Sequence, residues 1–239
     1  MTRGRSYRIC IRLLALAACV LPSPLFLSAS AQLYDFAAQA PTGQTLYYQF
    51  INGGVGVVHP GWDEHNPWQG FDKPNGALAV PDSVYHEGRA YAVVELGYCC
   101  FLECNELHSL ALPTTLRRID RYAVAGCRGL RGCVVVPDGV EVVGNYAFCC
   151  SGMDAVLLPP SLREIGYSAF QDCLRLAWIE VPQRVGTIGK DAFLFVPSVV
   201  YRGTASGAPW GAAMLNGTAT QASLSNFLPH ITQHGGDGK

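Results

Sequence analysis

Ten cysteines are the residues of this 239-residue chain whose types and spacing could do chemistry. Two pairs are adjacent in sequence, within YCCF (98–101) and YAFCCSG (146–152). Adjacent thiols can take part in redox reactions, bind a metal ion or form a disulfide. A second pattern has one cysteine every 23 residues, at Cys104, Cys127, Cys150 and Cys173. Which chemistry is open to them depends on the elements that hold them.

An internal repeat of about 23 residues organises the chain around these cysteines. A unit of this length is too short to bury its own apolar face, so neighbouring units must stack. The large apolar residue of the unit recurs at intervals of 23, 24, 22 and 23 residues, as Phe101, Val124, Phe148, Phe170 and Phe193. A proline recurs at intervals of 24, 22 and 23 residues, as Pro113, Pro137, Pro159 and Pro182.

Each unit is expected to contribute one short strand and a return segment. Leu107, Leu110 and Leu112 exemplify the inward side of the strand, which ends at the proline because proline cannot donate to a ladder. The return segment, such as SLREIGYSAF (161–170), places its own apolar residues inside. The pattern predicts a leucine-rich-repeat solenoid with a parallel β-strand ladder on the concave face. Turns or short helical or 3-10 segments would form the other face.

The segment LPPSLREIGYSAFQDCLRLAWIEVP (158–182) closely resembles the 23-residue repeat of the BspA-like leucine-rich-repeat proteins. The resemblance covers about residues 77–200. It implies an exported bacterial surface or secreted protein, often an adhesin that binds host matrix proteins or other cells. The sequence departs from the family pattern where Val124 replaces phenylalanine, Asp120 replaces glycine and Cys133 occupies a core strand position.

Residues 1–31 are predicted to be a signal peptide. The basic segment MTRGRSYRICIR (1–12) precedes the apolar run LLALAACVLPSPLFLS (13–28), and small residues follow at 29–31. We expect cleavage after Ala31, with lipoprotein processing at Cys19 as the alternative. No other apolar run approaches the ~20 residues of a membrane span. The protein is therefore expected to be secreted or at the cell surface.

Three further regions follow the signal peptide. Residues 32–95 are predicted to form a β-rich N-terminal cap, with a hairpin around Glu87-Gly88 and the start of the first repeat. Residues 96–200 hold the leucine-rich repeats. Residues 201–239 are predicted to form a C-terminal cap, with Trp210 as its closing aromatic, and a disordered tail.

The cysteines at 23-residue intervals are predicted to form a structural ladder rather than a metal site. Coils joined by parallel strand pairing are ~4.8 Å apart, so the first and last thiols lie roughly 14 Å apart. A zinc ion needs all four sulfurs within ~2.3 Å of one point. By alignment of the repeats, Cys100 should be a small buried filler, whereas Cys99 and Cys149 should be exposed. We expect neither a metal nor a cofactor.

Two surfaces are candidates for partner binding. The first is the outward side of the strand ladder, where an apolar patch is expected because Leu157 and Trp178 lie on adjacent strands. The second is the loop HPGWDEHNPWQGFD (59–72), whose tryptophans could anchor a partner. The candidate residues are His108, Arg131, Asp154, Leu157, Trp178 and Glu180 on the ladder, and Trp62 and Trp68 in the loop.

Composition and motifs narrow the function classes. A net charge of −1 with 15% charged residues gives no basic patch for nucleic acid. The sequence has no nucleophile elbow, zinc-protease motif or phosphate-binding loop, so an enzyme is not expected. We expect a monomeric, adhesin-like protein that binds a host matrix protein or cell-surface partner through its solenoid face. The alternatives are a structural repeat module of a cell-envelope assembly and a glycan-binding protein that uses the 59–72 loop.

Overall fold

The computed structural model describes residues 33–63 and 66–216. The predicted signal peptide, the alternative lipoprotein site at Cys19 and the tail from residue 217 onward lie outside these residues. Sixteen strands occur in the described residues, and none of these residues is helical. The segments between the strands are therefore turns, the first of the forms expected for them. The described residues also contain no helix that could cross a membrane.

Three antiparallel strands begin the described part, β1 (Phe36–Gln39), β2 (Thr45–Ile51) and β3 (Gly54–Val58). Side chains alternate between the two sides of a strand, which puts Leu46 and Tyr48 of β2 fully inside. Asn52 and Gly53 form the two-residue connection to β3, and Gly53 has a φ of +91°. An Asn-Gly pair suits such a hairpin because both positions tolerate positive φ.

The next strands are β4 (Gly76–Ala79), β5 (Ser83–His86) and β6 (Arg89–Leu96). β5 and β6 form the predicted hairpin, with Glu87 at φ +49° and Gly88 at φ +77° in its turn. β6 also pairs in parallel with β3, which joins the antiparallel strands to the repeats.

Every repeat contributes two short strands rather than one. The first row confirms the predicted strands and comprises β7 (Leu107–Ala111), β9 (Cys133–Val135), β11 (Ala155–Leu157), β13 (Trp178–Val181), β15 (Ser198–Tyr201) and β16 (Met214–Asn216). The second row comprises β8 (Arg118–Ile119), β10 (Val142–Val143), β12 (Glu164–Ile165) and β14 (Thr187–Ile188).

The second row lies in the segments for which only turns or helical pieces were predicted, and it forms the longer ladder. Its strands extend a nine-stranded sheet in the order β1-β2-β3-β6-β8-β10-β12-β14, with β5 paired to β6. The first row pairs only in pieces, β4 with β7, β9 with β11, and β13 with β15 and β16. Two residues per strand give no recognisable alternation, which is why the sequence pattern did not indicate these strands.

A third row of contacts is made by the turns that carry the large apolar residues. The backbone N–H of Phe148 donates to Ala169 O at 2.8 Å, and that of Phe170 donates to Ala192 O at 2.8 Å. The rings of Phe148, Phe170 and Phe193 stack at centroid distances of 5.3 and 5.9 Å. Trp210 ends this row, because its carbonyl accepts the Phe193 N–H at 3.0 Å and its buried ring contacts Phe193.

Candidate binding surface and cysteine cluster

An apolar strip lies on the outward side of the first-row strands. Val134 and Val156 point inward and are buried, so their neighbours on the strands point outward. Val135 and Leu157 are direct partners in the β9–β11 pairing and are 52% and 47% exposed. Apolar side chains of this exposure on adjacent strands form a surface that would gain free energy if a partner covered it.

Trp178 and Glu180 continue this side on β13. They flank the buried Ile179, as Ala155 and Leu157 flank Val156, so all four point outward. By this alignment Leu157 is level with Glu180, and Trp178 is displaced diagonally from it. Trp178 is half-buried and Glu180 is exposed. The predicted Leu157–Trp178 patch therefore lies on one face, and Val135 is the direct neighbour of Leu157 that the sequence analysis missed.

Arg131 and Asp154 lie in the turns that lead into β9 and β11, and both make intramolecular bonds. The Arg131 guanidinium donates to Arg128 O at 2.6 Å and to Leu130 O at 2.8 Å. Asp154 accepts the Gly132 N–H at 2.7 Å and pairs with Arg175 at 2.6 Å. Partial burial opposes ionisation of Asp154, but the Gly132 N–H and Arg175 outweigh it and hold the pKa of the carboxyl below its usual value.

His108 is exposed on β7, and its carbonyl accepts the Arg131 N–H at 2.9 Å. Its side chain thus lies on the outward side of the strand row, as predicted. The polar candidates differ in what they can offer a partner. His108 and Glu180 present exposed side chains, whereas Arg131 and Asp154 are engaged in holding the turns together.

The 59–72 loop offers one tryptophan rather than two. Trp62 is 68% exposed, but Trp68 is only 2% exposed and packs edge-on against Tyr47 at 6.0 Å between ring centroids. The expectation that Trp68 anchors a partner is therefore corrected, because its ring fills the space beneath the loop. His59 is buried and its Nδ1 lies 2.8 Å from Gly61 O. Residues 64 and 65 lie outside the described residues.

The buried cysteine ladder has a serine as its third member. Cys127 Sγ donates to Phe101 O at 3.1 Å, and Cys173 Sγ donates to Phe148 O at 3.1 Å. In the intervening repeat, the bond to Val124 O comes from Ser151 Oγ, at 2.7 Å. Cys104, Cys127 and Cys173 are fully buried and Ser151 is 2% exposed, whereas Cys150 is half-buried. Assigning Cys150 to the structural ladder was therefore wrong.

Cys150 belongs to the preceding position of the turn. Its N–H donates to Gln171 O at 2.8 Å, which makes it the counterpart of Asp172 in the next repeat. Residues at this position share a left-handed backbone, with φ values of 55° at Glu103, 72° at Gly126, 58° at Cys150, 57° at Asp172 and 66° at Phe195. The 23-residue spacing of Cys150 from Cys127 and Cys173 is a coincidence of an insertion and a deletion.

The insertion lies between Leu130 and Val134, and the deletion lies between Ser151 and Met153. Val134 therefore takes the core position expected for Cys133, which is half-buried and faces outward. The two irregularities meet on adjacent repeats. The Gly152 N–H donates to Cys127 O at 3.1 Å, and the Asp154 N–H donates to Gly132 O at 2.9 Å. Gly152 has no side chain to keep the shortened turn away from the preceding repeat.

The remaining cysteines divide between core and surface. Cys100 is buried and donates to Ala123 O at 3.4 Å, which confirms it as a small filler. Cys99 is 1% exposed, so the prediction that it is exposed was wrong. Cys149 is half-buried, between the predicted exposure and burial.

A compact cluster forms where Cys149 meets Cys150. Their sulfurs lie 3.5 Å apart, and Cys150 Sγ lies 4.0 Å from Asp172 Oδ2. One ligand atom from each of the three residues falls within 4.8 Å of the other two, an arrangement that could hold a metal ion. Burial, followed by the adjacent Cys150 thiol, raises the pKa of the Cys149 thiol to about 12. The sequence analysis missed this cluster because it placed Cys150 in the wrong row.

Comparison with known proteins places the repeats in a family. Residues 90–198 match the BspA type leucine rich repeat region in six copies. This confirms the resemblance drawn from residues 158–182. No curated protein matches the sequence.

Solved structures with a similar fold are bacterial leucine-rich-repeat proteins. The T. pallidum leucine rich repeat protein is 25% identical, with a TM-score of 0.53 over 64% of this chain and 67% of that one. A leucine-rich repeat protein from Bacteroides capillosus is 22% identical, with a TM-score of 0.42 over 70% and 99% of the two chains. The pneumococcal vaccine antigen PcpA is 16% identical, with a TM-score of 0.47 over 72% and 50%. The likeness in fold rests on the first of these.

Proposed function

We propose that this chain, whose residues 90–198 carry BspA type leucine-rich repeats, is an exported, non-enzymatic, adhesin-like protein. Its partner is an extracellular protein, of the host matrix or of a cell surface. The monomer binds this partner through the outward side of its first-row strands. The observation that carries the proposal is the exposed, directly paired Val135 and Leu157.

The two strand rows differ in the side chains they present, and this difference supports the first row as the binding surface. Ser109, Ala111 and Val135 add no charge to that row. In the second row, Glu95 lies directly opposite Arg118, and Glu164 and Thr187 are also paired. Covering apolar side chains releases about 25 cal/mol per Å² buried, whereas covering charged ones requires their desolvation.

We further propose that residues 32–95 and 201–239 cap the repeats. Support comes from the antiparallel strands β1–β3, which occupy one end of the nine-stranded sheet. At the other end, the buried Trp210 covers the row of stacked phenylalanines. Unshielded ends of a repeat stack expose apolar surface and strand edges, which promotes aggregation.

A solid-phase binding screen against matrix proteins, glycans and whole cells tests the function. We expect a protein ligand, and we expect Leu157→Lys to weaken its binding by about tenfold or more, as for a central contact residue. Thr187→Lys is the matched control, because it adds the same charge at an exposed strand position in the other row. Equal affinities for the two variants would contradict the proposed surface.

The two alternatives give different results in the same screen. Glycan binding that is lost in Trp62→Ala and retained in Leu157→Lys would favour the 59–72 loop as the site. That alternative has lost one of its two tryptophans, because Trp68 is buried. Absence of binding to any ligand would favour a structural role in a cell-envelope assembly.

A further inference from the structure

We propose that Cys149, Cys150 and Asp172 form a binding site for a thiophilic d10 metal ion of the Zn²⁺ class. Two sulfurs and one carboxylate oxygen would be the protein ligands. A water molecule would complete four-coordination, as is usual where the protein supplies three ligands. This site is separate from the proposed partner-binding surface, and neither proposal depends on the other.

The ligand distances fit such an ion. With Zn–S bonds of about 2.3 Å, two sulfurs of a tetrahedral site lie about 3.8 Å apart. The Cys149 and Cys150 sulfurs are 3.5 Å apart, and Asp172 Oδ2 is 4.0 Å from Cys150 Sγ. Small side-chain rotations would suffice to bring all three atoms onto one ion.

The backbone holds these ligands in place. Cys150 and Asp172 occupy equivalent, left-handed turn positions on adjacent repeats. The Cys150 N–H donates to Gln171 O at 2.8 Å, and the Asp172 N–H donates to Leu194 O at 3.0 Å. Neighbouring rungs of one ladder therefore present the thiol and the carboxylate to each other. Such preorganisation lowers the entropy lost when an ion binds.

A neighbouring side chain orients the carboxylate. Gln171 Nε2 donates to Asp172 Oδ2 at 3.1 Å, the kind of outer contact that commonly positions a metal ligand. On the other side of Cys150, the equivalent position of the preceding repeat is Gly126, which has no side chain to occupy that side. Both cysteines are half-buried, so an ion and its water can reach them from solvent.

The other described thiols lack this combination. Cys104, Cys127 and Cys173 are fully buried, and the last two donate to backbone carbonyls. Cys133 is half-buried but lies outside the cluster. Cys133 is therefore the matched control for the thiols of the cluster.

The test is a titration of the full-length protein, reduced with a phosphine under anaerobic conditions, with Co²⁺ and then Cd²⁺. A Cys10→Ser/Cys19→Ser background removes the two cysteines outside the described residues. We expect one equivalent of ion to give a thiolate-to-metal charge-transfer band. Cys149→Ser and Cys150→Ser should each abolish the band, Asp172→Asn should weaken binding by about tenfold, and Cys133→Ser should leave it unchanged.

Three results would overturn the proposal. One is the absence of a charge-transfer band in the reduced parent protein. Another is a band that persists in the Cys149→Ser/Cys150→Ser double variant. The third is a parent that binds no ion after reduction and whose untreated form has Cys149 linked to Cys150, seen as the loss of two hydrogens in peptide mass mapping. Urea midpoints establish that the variants fold, and Asp172→Asn, which keeps every thiol, decides the matter if a cysteine variant does not.

Discussion

Ser151 takes the place in its repeat that Cys127 takes in the preceding one. Each side chain is buried and donates to the backbone carbonyl of a large apolar residue one repeat back, Val124 O at 2.7 Å and Phe101 O at 3.1 Å. A hydroxyl and a thiol are similar in size, and both can donate a hydrogen bond. The shared bond, rather than the identity of the atom, defines the position.

Replacing Ser151 tests this assignment. Ser151→Cys should change the free energy of unfolding little, because a thiol already makes this bond in two other repeats. Ser151→Ala should lower it by about 1–3 kcal/mol, since a buried polar group loses its partner. Urea denaturation measures both. If Cys150→Ala destabilised the protein more than Ser151→Ala, the register described above would be wrong.

Gly152 should tolerate no side chain. A Cβ there would overlap Arg128 O and lie 2.8 Å from Leu130 O, both of them backbone atoms of the preceding repeat. We expect Gly152→Ala to lower the free energy of unfolding by about 2 kcal/mol or more. Gly186→Ala is the control, because nothing lies within 4 Å of its Cβ position. Similar urea midpoints for the two variants would show that the shortened turn is not tightly packed.

Phe170 should be a major source of stability. Its ring is fully buried between Phe148 and Phe193 in the stacked row. Phe170→Ala should lower the free energy of unfolding by about 3–5 kcal/mol through lost burial and the cavity left behind. Leu174→Ala, at a side chain that is 75% exposed, should have little effect. A small change in Phe170→Ala would mean that the repeats close up around the missing ring.

Stability should fall as the solution becomes alkaline. Burial raises the pKa of the Cys127 thiol from 9.0 to about 12, so this thiol stays protonated in the folded protein after it has ionised in the unfolded chain. Its stabilising contribution is complete below pH 9 and is lost as the pH rises toward 12. The loss for one such thiol is at most about 1.4 kcal/mol per pH unit.

Cys127→Ser isolates this contribution, because Ser151 shows that a hydroxyl fits the same position. The free energies of unfolding of the two proteins, measured in urea from pH 8 to pH 11, should converge or cross as the parent loses stability faster. Parallel curves over this range would contradict a raised pKa at Cys127.

The sequence was sufficient to predict the features that depend on residue type and spacing. The 23-residue repeat, the phenylalanine positions and the Glu87-Gly88 hairpin all follow from periodic burial or turn chemistry. The second strand row did not follow, because strands of two residues have no pattern of their own. Trp68 was placed on the surface because a loop rich in proline and glycine gives no sign of which aromatic turns inward.

The cysteine cluster was missed for a different reason. Aligning the repeats by identical residues put Cys150 with Cys127 and Cys173, whereas the hydrogen bonds put Ser151 there. Local length changes are invisible when a similar residue lies one position away. Cys149 and Cys150, met first as an adjacent pair, are brought together with Asp172 only by that shift.

The insertion before β9 and the deletion before β11 also bear on how such a chain can evolve and be engineered. Most repeat arrays grow or shrink by copying or losing one unit. Here the longer unit fits against the shorter one, with Gly152 set close under the widened turn. Removing either unit alone would leave a bulge or a gap facing a regular neighbour. The smallest segment that can be duplicated, excised or transplanted from this part of the chain is therefore the two units together.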